Sequence, residues 1–488
     1  MNMRYLLPLN FLALLLICSC AVNPVTGKQD LVLLSENDEI ALGRNTNMEV
    51  LKQYSVYKDP ALQKYVHDVG TKLAIKSHRN NLIYRFTVLD SKEVNAFALP
   101  GGYIYITRGL MAYLNSEAEL AAVLGHEIGH VTARHSVRQY SANQLANIGA
   151  IIGSLFIPGM TEASNQLIQI FGTTLLRGYG REHELEADRL GAEYLARTNY
   201  NPRAMLDVIG VLKNQEIFEK EQAQSEGREP RIYHGVFSTH PDNDTRLHEV
   251  IETAQTLADT GTTNFVGHEE YMSLMDNMVF GDSPQDGILR GRNFFHEELG
   301  ISINFPQKWI VTNHPDRILL TSPGGNALIQ ISAEDINKKI TPRNFMIQRM
   351  GLNNLDNESS LKINGFDAHT GISVINSSLG SRPTRFTVIY IEQRAYIVAG
   401  MTKVANDMVK YDKAFLDTAK SFHALTDNEK ILAKPLRLKV VQANNNTRFS
   451  SLATQSPLGS HAESQLRLLN AKYPDGEPQK GTLIKIIE

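Results

Sequence analysis

His126-Glu127-Ile128-Gly129-His130 is the stretch that decides how this chain is read. On a helix, residues four apart lie one above the other on the same face. His126 and His130 can therefore offer two imidazoles to one metal ion. Glu127 stands beside them, where it can take a proton from a water that the metal activates. The surroundings suit a helix. Ser116 and Glu119 make a Ser-x-x-Glu capping box, and residues 118–123, apolar apart from Glu119, run on into the motif. Gly125 and Gly129 each cost a helix roughly 1 kcal/mol relative to alanine. Close packing or room for a substrate would explain them. A buried helix whose two histidines merely satisfy backbone groups is the plain alternative. His135 lies nine residues beyond His126, half a helical circle away. It is read as a residue behind the ligands or at the surface, not as a third ligand.

A catalytic zinc takes three protein ligands and keeps one position for water. The third ligand is sought in Arg181-Glu182-His183-Glu184-Leu185-Glu186-Ala187-Asp188, which reads as a helix start running on through Leu190, Ala192 and Leu195. Glu184 and Asp188 share a face. Glu184 can ligate zinc while Asp188 holds a ligand histidine through its other ring nitrogen. Glu182, His183 and Glu186 are alternatives, and a solvated acidic helix face is the ordinary reading of such a run.

Residues 23–250 resemble a zinc metalloendopeptidase of the gluzincin kind, in the family that contains the CAAX prenyl proteases and bacterial membrane and periplasmic quality-control proteases. The likeness is carried by Asn23-Pro24-Val25-Thr26-Gly27, Asn95-Ala96-Phe97-Ala98-Leu99-Pro100-Gly101-Gly102, the His126-to-His130 motif, Glu184-x-x-Ala187-Asp188, and Ser238-Thr239-His240-Pro241 with Arg246. The resemblance implies His126, His130 and Glu184 as ligands of one zinc ion per chain, Glu127 as general base and Asp188 as the support of a ligand histidine. It also implies a mainly helical metalloprotease domain with a small β-sheet, in a chain that is α+β throughout.

The chemistry agrees with that assignment. Zinc lowers the pKa of its water toward ~7 and polarises the scissile carbonyl, and Glu127 carries the proton to the leaving amine. His240 or Arg246 can supply the further donor that an oxyanion needs. By the resemblance, His240 can instead occupy zinc's open position and hold the enzyme latent. As a sequence feature alone it is a turn residue before Pro241. Upstream, residues 86–89 and 103–106 read as strands with Pro100-Gly101-Gly102 as a turn between them. Zincins commonly align a peptide along an edge strand by main-chain pairing, which places the substrate strand at Asn95, Ala96 and Phe97 and on to Leu99. An ordinary hairpin is the alternative.

The first residues point to a compartment. Arg4 precedes an apolar stretch, residues 6–17, too short for a membrane span. It ends in Ile17-Cys18-Ser19-Cys20, which resembles a bacterial lipoprotein signal with Cys20 as the lipidated first residue; Ala21 in place of an aspartate favours the outer membrane. Both cysteines of the chain lie here. Cleavage before Cys20 leaves a single terminal cysteine and no intrachain disulfide. A plain secretory signal is the alternative.

At 488 residues the prior is about three domains. A net charge of −3 with no basic run argues against a nucleic-acid partner. The expected division is a leader at 1–19, a zinc metalloprotease domain at 20–270, an α+β accessory domain at 290–425 and a C-terminal segment at 432–488. Residues 148–160 form the longest apolar run, a buried core helix, a mobile cover over the active site, or a membrane-facing or substrate-contacting patch. Residues 213–231 read as a polar loop or helix extension, and residues 257–286 as a linker. In the accessory domain, 301–305, 327–332, 386–391 and 396–401 are strand-like, 407–422 has helical spacing, and Trp309 belongs to a core. The last segment has a strand–helix–helix–strand look that weakly resembles a LysM-type glycan-binding module, with Asn445-Asn446 where Gly-Asp is usual.

The chain is thus expected to be a periplasmic zinc metalloendopeptidase, anchored to the outer membrane through its N-terminal lipid. Its expected partners are unfolded or misassembled envelope polypeptides, with the outer-membrane assembly machinery and, more weakly, peptidoglycan as further ones. The alternative is a chaperone or scaffold lipoprotein of outer-membrane assembly with latent protease activity.

Overall fold

Residues 20–142, 179–225, 265–336, 340–352, 354–377 and 380–488 are described by a computed structural model. The chain divides into two units, Met1–Leu51 with Ser55–Gly281 and Leu436–Glu488, and Lys52–Tyr54 with Asp282–Pro435.

The first unit opens with a hairpin of β1 (Cys20–Val22) and β2 (Gln29–Leu31). Asn23 closes it, because its side-chain oxygen accepts from the N–H groups of Val25 and Thr26, an Asx turn. Helices α1 (Glu36–Gln53) and α2 (Pro60–Ala74) follow. Asp59 caps α2, with Pro60 supplying the preset φ of a first helical residue. Strands β3 (Arg85–Leu89), β4 (Ala96–Leu99) and β5 (Tyr103–Thr107) make a sheet in the order β3-β5-β4. The sequence suggested a turn joining 86–89 to 103–106. Instead β3 runs parallel to β5, and parallel neighbours cannot be joined by a tight turn. Pro100-Gly101-Gly102 turns β4 into β5, with Gly101 and Gly102 at φ 76° and 87°, a region that glycine enters without a side-chain clash.

Helices α3 (Arg108–Tyr113), α4 (Glu117–Thr132), α5 (Arg181–Arg197), α6 (Ala204–Ser225) and α7 (His268–Met275) and the short strand β6 (Val279–Phe280) complete this part. All 16 residues of α4 are buried. Its composition, small and apolar all round, suits a helix with neighbours on every side, and α2, α5, α6 and β4 pack around it. The polar stretch from residue 213 continues α6 as far as Ser225. The apolar run 148–160 lies outside the described residues. The expected linker is structured over its second half, where α7 buries Tyr271, Met272 and Met275.

The second unit holds β7 (Ile288–Arg290), β8 (Asn293–His296), β9 (Ile301–Asn304), β10 (Ile310–His314), β11 (Arg317–Thr321), β12 (Ala327–Asp335), α8 (Pro342–Gln348), β13 (Asp356–Ile363), β14 (Phe366–Ser377), β15 (Gly380–Ile391), β16 (Arg394–Thr402), α9 (Met408–Lys420), β17 (His423–Ala424) and α10 (Asp427–Leu432). Seven strands form an antiparallel sheet, β10-β11-β12-β16-β15-β14-β13, and β17-β9-β8-β7 form a second sheet. Alternation along the long strands shows that the larger sheet is covered on both faces. Ile389, Ile391, Tyr396 and Val398 join the cluster around Phe415 of α9. Phe386, Val388, Ala395 and Ile397 join Phe345 of α8. Trp309 packs edge-on to Tyr411 and Phe415 at the border of the first of these clusters.

Residues 436–488, expected as a separate segment, belong to the first unit. They form β18 (Leu436–Gln442), α11 (Phe449–Ala453), α12 (Ala462–Leu469) and β19 (Leu483–Ile487), with β18 hydrogen-bonded between β19 and β6. The wholly buried Lys485 donates from Nζ to the carbonyls of Ala112 (2.6 Å) and Leu114 (2.7 Å) at the end of α3. Its Nζ thereby satisfies carbonyls left without helical partners at a helix C-terminus, although burial pulls the Lys485 pKa down to about 7. Among the described residues, no helix is long and apolar enough to cross a membrane.

Candidate metal centre

Ser116 starts α4 by accepting the N–H of Glu119 on its hydroxyl. The expected reciprocal bond differs in detail. Glu119 reaches past the cap and accepts from the Asn115 N–H (2.8 Å) and the Ser116 hydroxyl (3.2 Å). Three turns on, His126 and His130 share a face, with their Nε2 atoms 3.0 Å apart.

The second helix supplies the carboxylates. Glu184 and Asp188 are both fully buried on α5. Glu184 oxygens lie 3.5 Å from His126 Nε2 and 3.5 Å from His130 Nε2. His126 Nδ1 is 2.7 Å from Asp188 Oδ1, so its proton sits on Nδ1 and the Nε2 lone pair faces the cluster. Bonds of ~2.0–2.1 Å in a tetrahedron would separate donors by about 3.3–3.4 Å, close to the separations present. Glu127, buried at 2% exposure, adds a third carboxyl group to the centre. Several carboxylates gathered out of water need compensating positive charge. The donor set therefore fits a divalent zinc ion in both spacing and charge, and His126, His130 and Glu184 are the one such group found among the described residues.

The glycines of the motif explain how two helices come this close. A Cβ at Gly129 would lie 3.0 Å from the Ala187 carbonyl oxygen, and one at Gly125 would lie 3.3 Å from Gly191 Cα. The backbones touch, and close packing is the reason for the unfavourable helix residues.

The alternative third ligands have other places. Glu182 is exposed on the surface. Glu186 accepts from His135 Nε2 (3.0 Å) and from Arg138 Nη1 (2.9 Å). Burial opposes ionisation of Glu186, yet these two hydrogen bonds hold its carboxyl down to about 2. His183 stacks on His135 at 4.3 Å between ring centres, and burial, with His135 and Arg138 nearby, lowers it to about 4.

His135 itself is fully buried and stands directly behind His130, Nδ1 to Nδ1 at 2.7 Å. Extrapolation along a straight helix does not apply to it, because α4 ends at Thr132 and Arg134 takes φ 54°. Arg79 and Arg134 hold that helix end. Both bond to the buried Glu39, at 2.7 and 2.8 Å, and Arg79 also donates to the Val131 carbonyl (3.1 Å). Sequence reasoning missed this clamp and also Tyr179, whose ring stacks on His130 at 4.2 Å. The spacing of His135 from His130 was the one available signal.

Among the described residues, strand β4 lies at the edge of its sheet, next to β5. Asn95 precedes it, paired through backbone and side chain to Thr107, and Phe97 stacks on Tyr105 at 4.9 Å. Ala98 and Leu99 line a small cavity together with His130, which puts this edge beside the metal centre. Cys20 begins β1. The leader, His240 and Arg246 lie outside the described residues.

A wholly buried helix bearing His-Glu-x-x-His, with a glutamate from a second helix and an aspartate behind one histidine, is the arrangement that the gluzincin resemblance implies. Residues 60–254 match the model of Peptidase family M48. The chain is 28% identical over 235 residues to the beta-barrel assembly-enhancing protease of Yersinia pestis, covering 46% of this chain and 45% of that protein. To the protein of the same name from Escherichia coli K12 it is 29% identical over 223 residues, 44% and 43% of the two chains. The mitochondrial metalloendopeptidase OMA1 of Arabidopsis thaliana is 33% identical over 158 residues, 32% of each chain. The match thus spans less than half the length of each of these relatives.

Proposed function

We propose that this chain is a zinc-dependent metalloendopeptidase that hydrolyses peptide bonds of misfolded or misassembled cell-envelope proteins. The observation that carries the reading is the convergence of His126, His130 and Glu184 within bonding reach of one ion, with Glu127 on the same helix. A zinc ion held there supplies a Lewis acid that polarises the scissile carbonyl and makes a water acidic near neutral pH. Glu127 accepts the proton of the attacking water and passes it to the leaving amine. Asp188 holds the His126 ring in the tautomer that leaves Nε2 free. Asn95, Ala96 and Phe97 align an extended substrate by main-chain pairing, a mode supported by the place of β4 at the edge of its sheet among the described residues. His240 and Arg246 are the donors assigned to the oxyanion, with His240 as a latch in the resting enzyme.

The names of the bacterial relatives support the substrate class. The leader pattern supports attachment through Cys20 to the periplasmic face of the outer membrane, where the assembly machinery would be within reach. Residues 436–488 act in this reading as part of the peptidase unit, with peptidoglycan as a weaker further partner.

The test compares the wild-type chain with Glu127→Gln for zinc content and for cleavage of an unfolded outer-membrane β-barrel protein. The variant is expected to keep one zinc per chain and lose about 10²–10⁴-fold in turnover. Undiminished turnover in the zinc-loaded variant would refute the role of Glu127. A zinc-loaded wild type that never cuts but suppresses aggregation would move the chain to the chaperone class.

A further inference from the structure

We infer that His135 and Glu186 are positioning residues for His130, fixing the tautomer and ring orientation of that ligand through a chain of hydrogen bonds that runs from His130 to Glu186 and Arg138. The inference rests on the reading of His126, His130 and Glu184 as zinc ligands.

Counting protons along the chain gives one arrangement. Glu186 Oε2 accepts from Arg138 Nη1 at 2.9 Å, so the same oxygen, 3.0 Å from His135 Nε2, also accepts there and the proton lies on His135 Nε2. The two Nδ1 atoms of His130 and His135 are 2.7 Å apart and share a single proton. A metal on His130 requires a bare Nε2, so His130 carries its proton on Nδ1 and donates it to the bare Nδ1 of His135. Every donor then meets an acceptor, and no group in the chain has to change its usual charge.

The two ligand histidines are thus held by different means. His126 leans on a carboxylate directly. His130 leans on an imidazole that in turn leans on a carboxylate. The rings are also fixed face-on, His130 by Tyr179 at 4.2 Å and His135 by His183 at 4.3 Å. Beyond Glu186, Arg138 Nε faces Asp30 at 3.6 Å, and Asp30 accepts from Asn23 Nδ2 at 2.7 Å. The hairpin that begins at Cys20 therefore ends the same chain of contacts.

His135→Ala removes the acceptor for a buried N–H and frees the His130 ring to turn. Partners behind metal-bound histidines are worth about 10–100-fold in metal affinity, and a loss of that size is expected in the zinc dissociation constant. The constant is measured on the full chain by competition with a chromophoric chelator. His135→Gln, with an amide oxygen to accept and an amide nitrogen to donate, is expected to recover part of the loss, and Glu186→Gln to fall between. A residue that merely fills the core would shift the melting temperature and leave the zinc constant of the folded chain alone. Nitrogen-15 NMR of the zinc-loaded wild type is expected to show His135 protonated at Nε2 and bare at Nδ1. That measurement decides the matter even if His135→Ala fails to fold. The opposite tautomer, or a folded His135→Ala with unchanged zinc affinity, would overturn the inference and leave the zinc site standing. A wild-type chain that binds no zinc would instead remove the underlying reading, and this one with it.

Discussion

Gly129→Ala tests whether the spacing of two helices sets the metal centre. A Cβ at Gly129 would stand 3.0 Å from the Ala187 carbonyl oxygen and 3.1 Å from Ala187 Cα. Carbon contacts are comfortable at about 3.5–4.0 Å, so α5 must retreat by roughly 0.5 Å, and the obstructing atoms are backbone that cannot swing aside. Glu184 lies one turn before Ala187 and moves with it. Its oxygens stand 3.5 Å from both Nε2 atoms, already at the long side of the separation that zinc bonds of ~2.0–2.1 Å allow. Two energies oppose each other in the protein without metal. Alanine is favoured over glycine in a helix by about 1 kcal/mol, while overpacking costs about 1–3 kcal/mol. The expected net is a loss of about 0–2 kcal/mol in stability, together with a roughly tenfold weaker zinc affinity, about 1.4 kcal/mol. Gly210 is the control. Among the described residues nothing lies within 4 Å of a Cβ built there, so Gly210→Ala takes the propensity gain alone. It should stabilise by up to about 1 kcal/mol with zinc binding untouched. Thermal melting with and without zinc, and zinc titration against a chelator, read both quantities. If Gly129→Ala is stabilised as Gly210→Ala is, and binds zinc as the wild type does, the close helix contact has no part in building the site.

Glu184→Ala is expected to empty the site of zinc while the exposed Glu182→Ala leaves it filled, and metal analysis in the reverse order would move the third ligand. Lys485→Met strips two buried carbonyls of their Nζ donor. It should cost about 2–4 kcal/mol in denaturant unfolding of the first unit, and an unchanged midpoint would mean that the C-terminal segment is dispensable. Burial opposes ionisation of Glu429, but hydrogen bonds from the Thr426 N–H, His423, the Thr426 hydroxyl and Ser302 hold its carboxyl down to about 2 from an ordinary 4.5. A folded pKa below the unfolded one stabilises above the unfolded value. That contribution is present above pH 4.5 and is lost as pH falls toward about 2. Glu429→Gln should flatten this part of the acid-unfolding curve of the second unit, and an unaltered curve would deny these hydrogen bonds their role.

What could be read from the residues was local. His126, Glu127 and His130 declare themselves because helical geometry alone brings positions four apart onto one face, and the Glu184 and Asp188 pair follows the same rule on another helix. Strands β9, β12, β15 and β16 and helix α9 of the second unit announce themselves by periods of two and of 3.6 residues, whereas β13, β14 and α8 were not read from the sequence. Non-local facts were beyond such reasoning. Period and propensity do not reveal that β3 runs parallel to β5, because pairing direction depends on how the intervening chain travels. His135 was judged along a helix that in fact stops three residues before it, at a turn held by Arg79, Arg134 and Glu39 from remote parts of the chain. The segment after 436 looks like a separate module by its own element order. Only tertiary structure shows its lysine buried against the end of α3. Sequence by itself determined that His126, Glu127 and His130 share one stretch of helix, since that depends on spacing. Spacing left Glu182, His183, Glu184 and Glu186 open as the third ligand, and the resemblance chose Glu184. The fold decided which helix lies against which, at what distance, and with which buried partners, because those depend on packing between segments far apart in the chain.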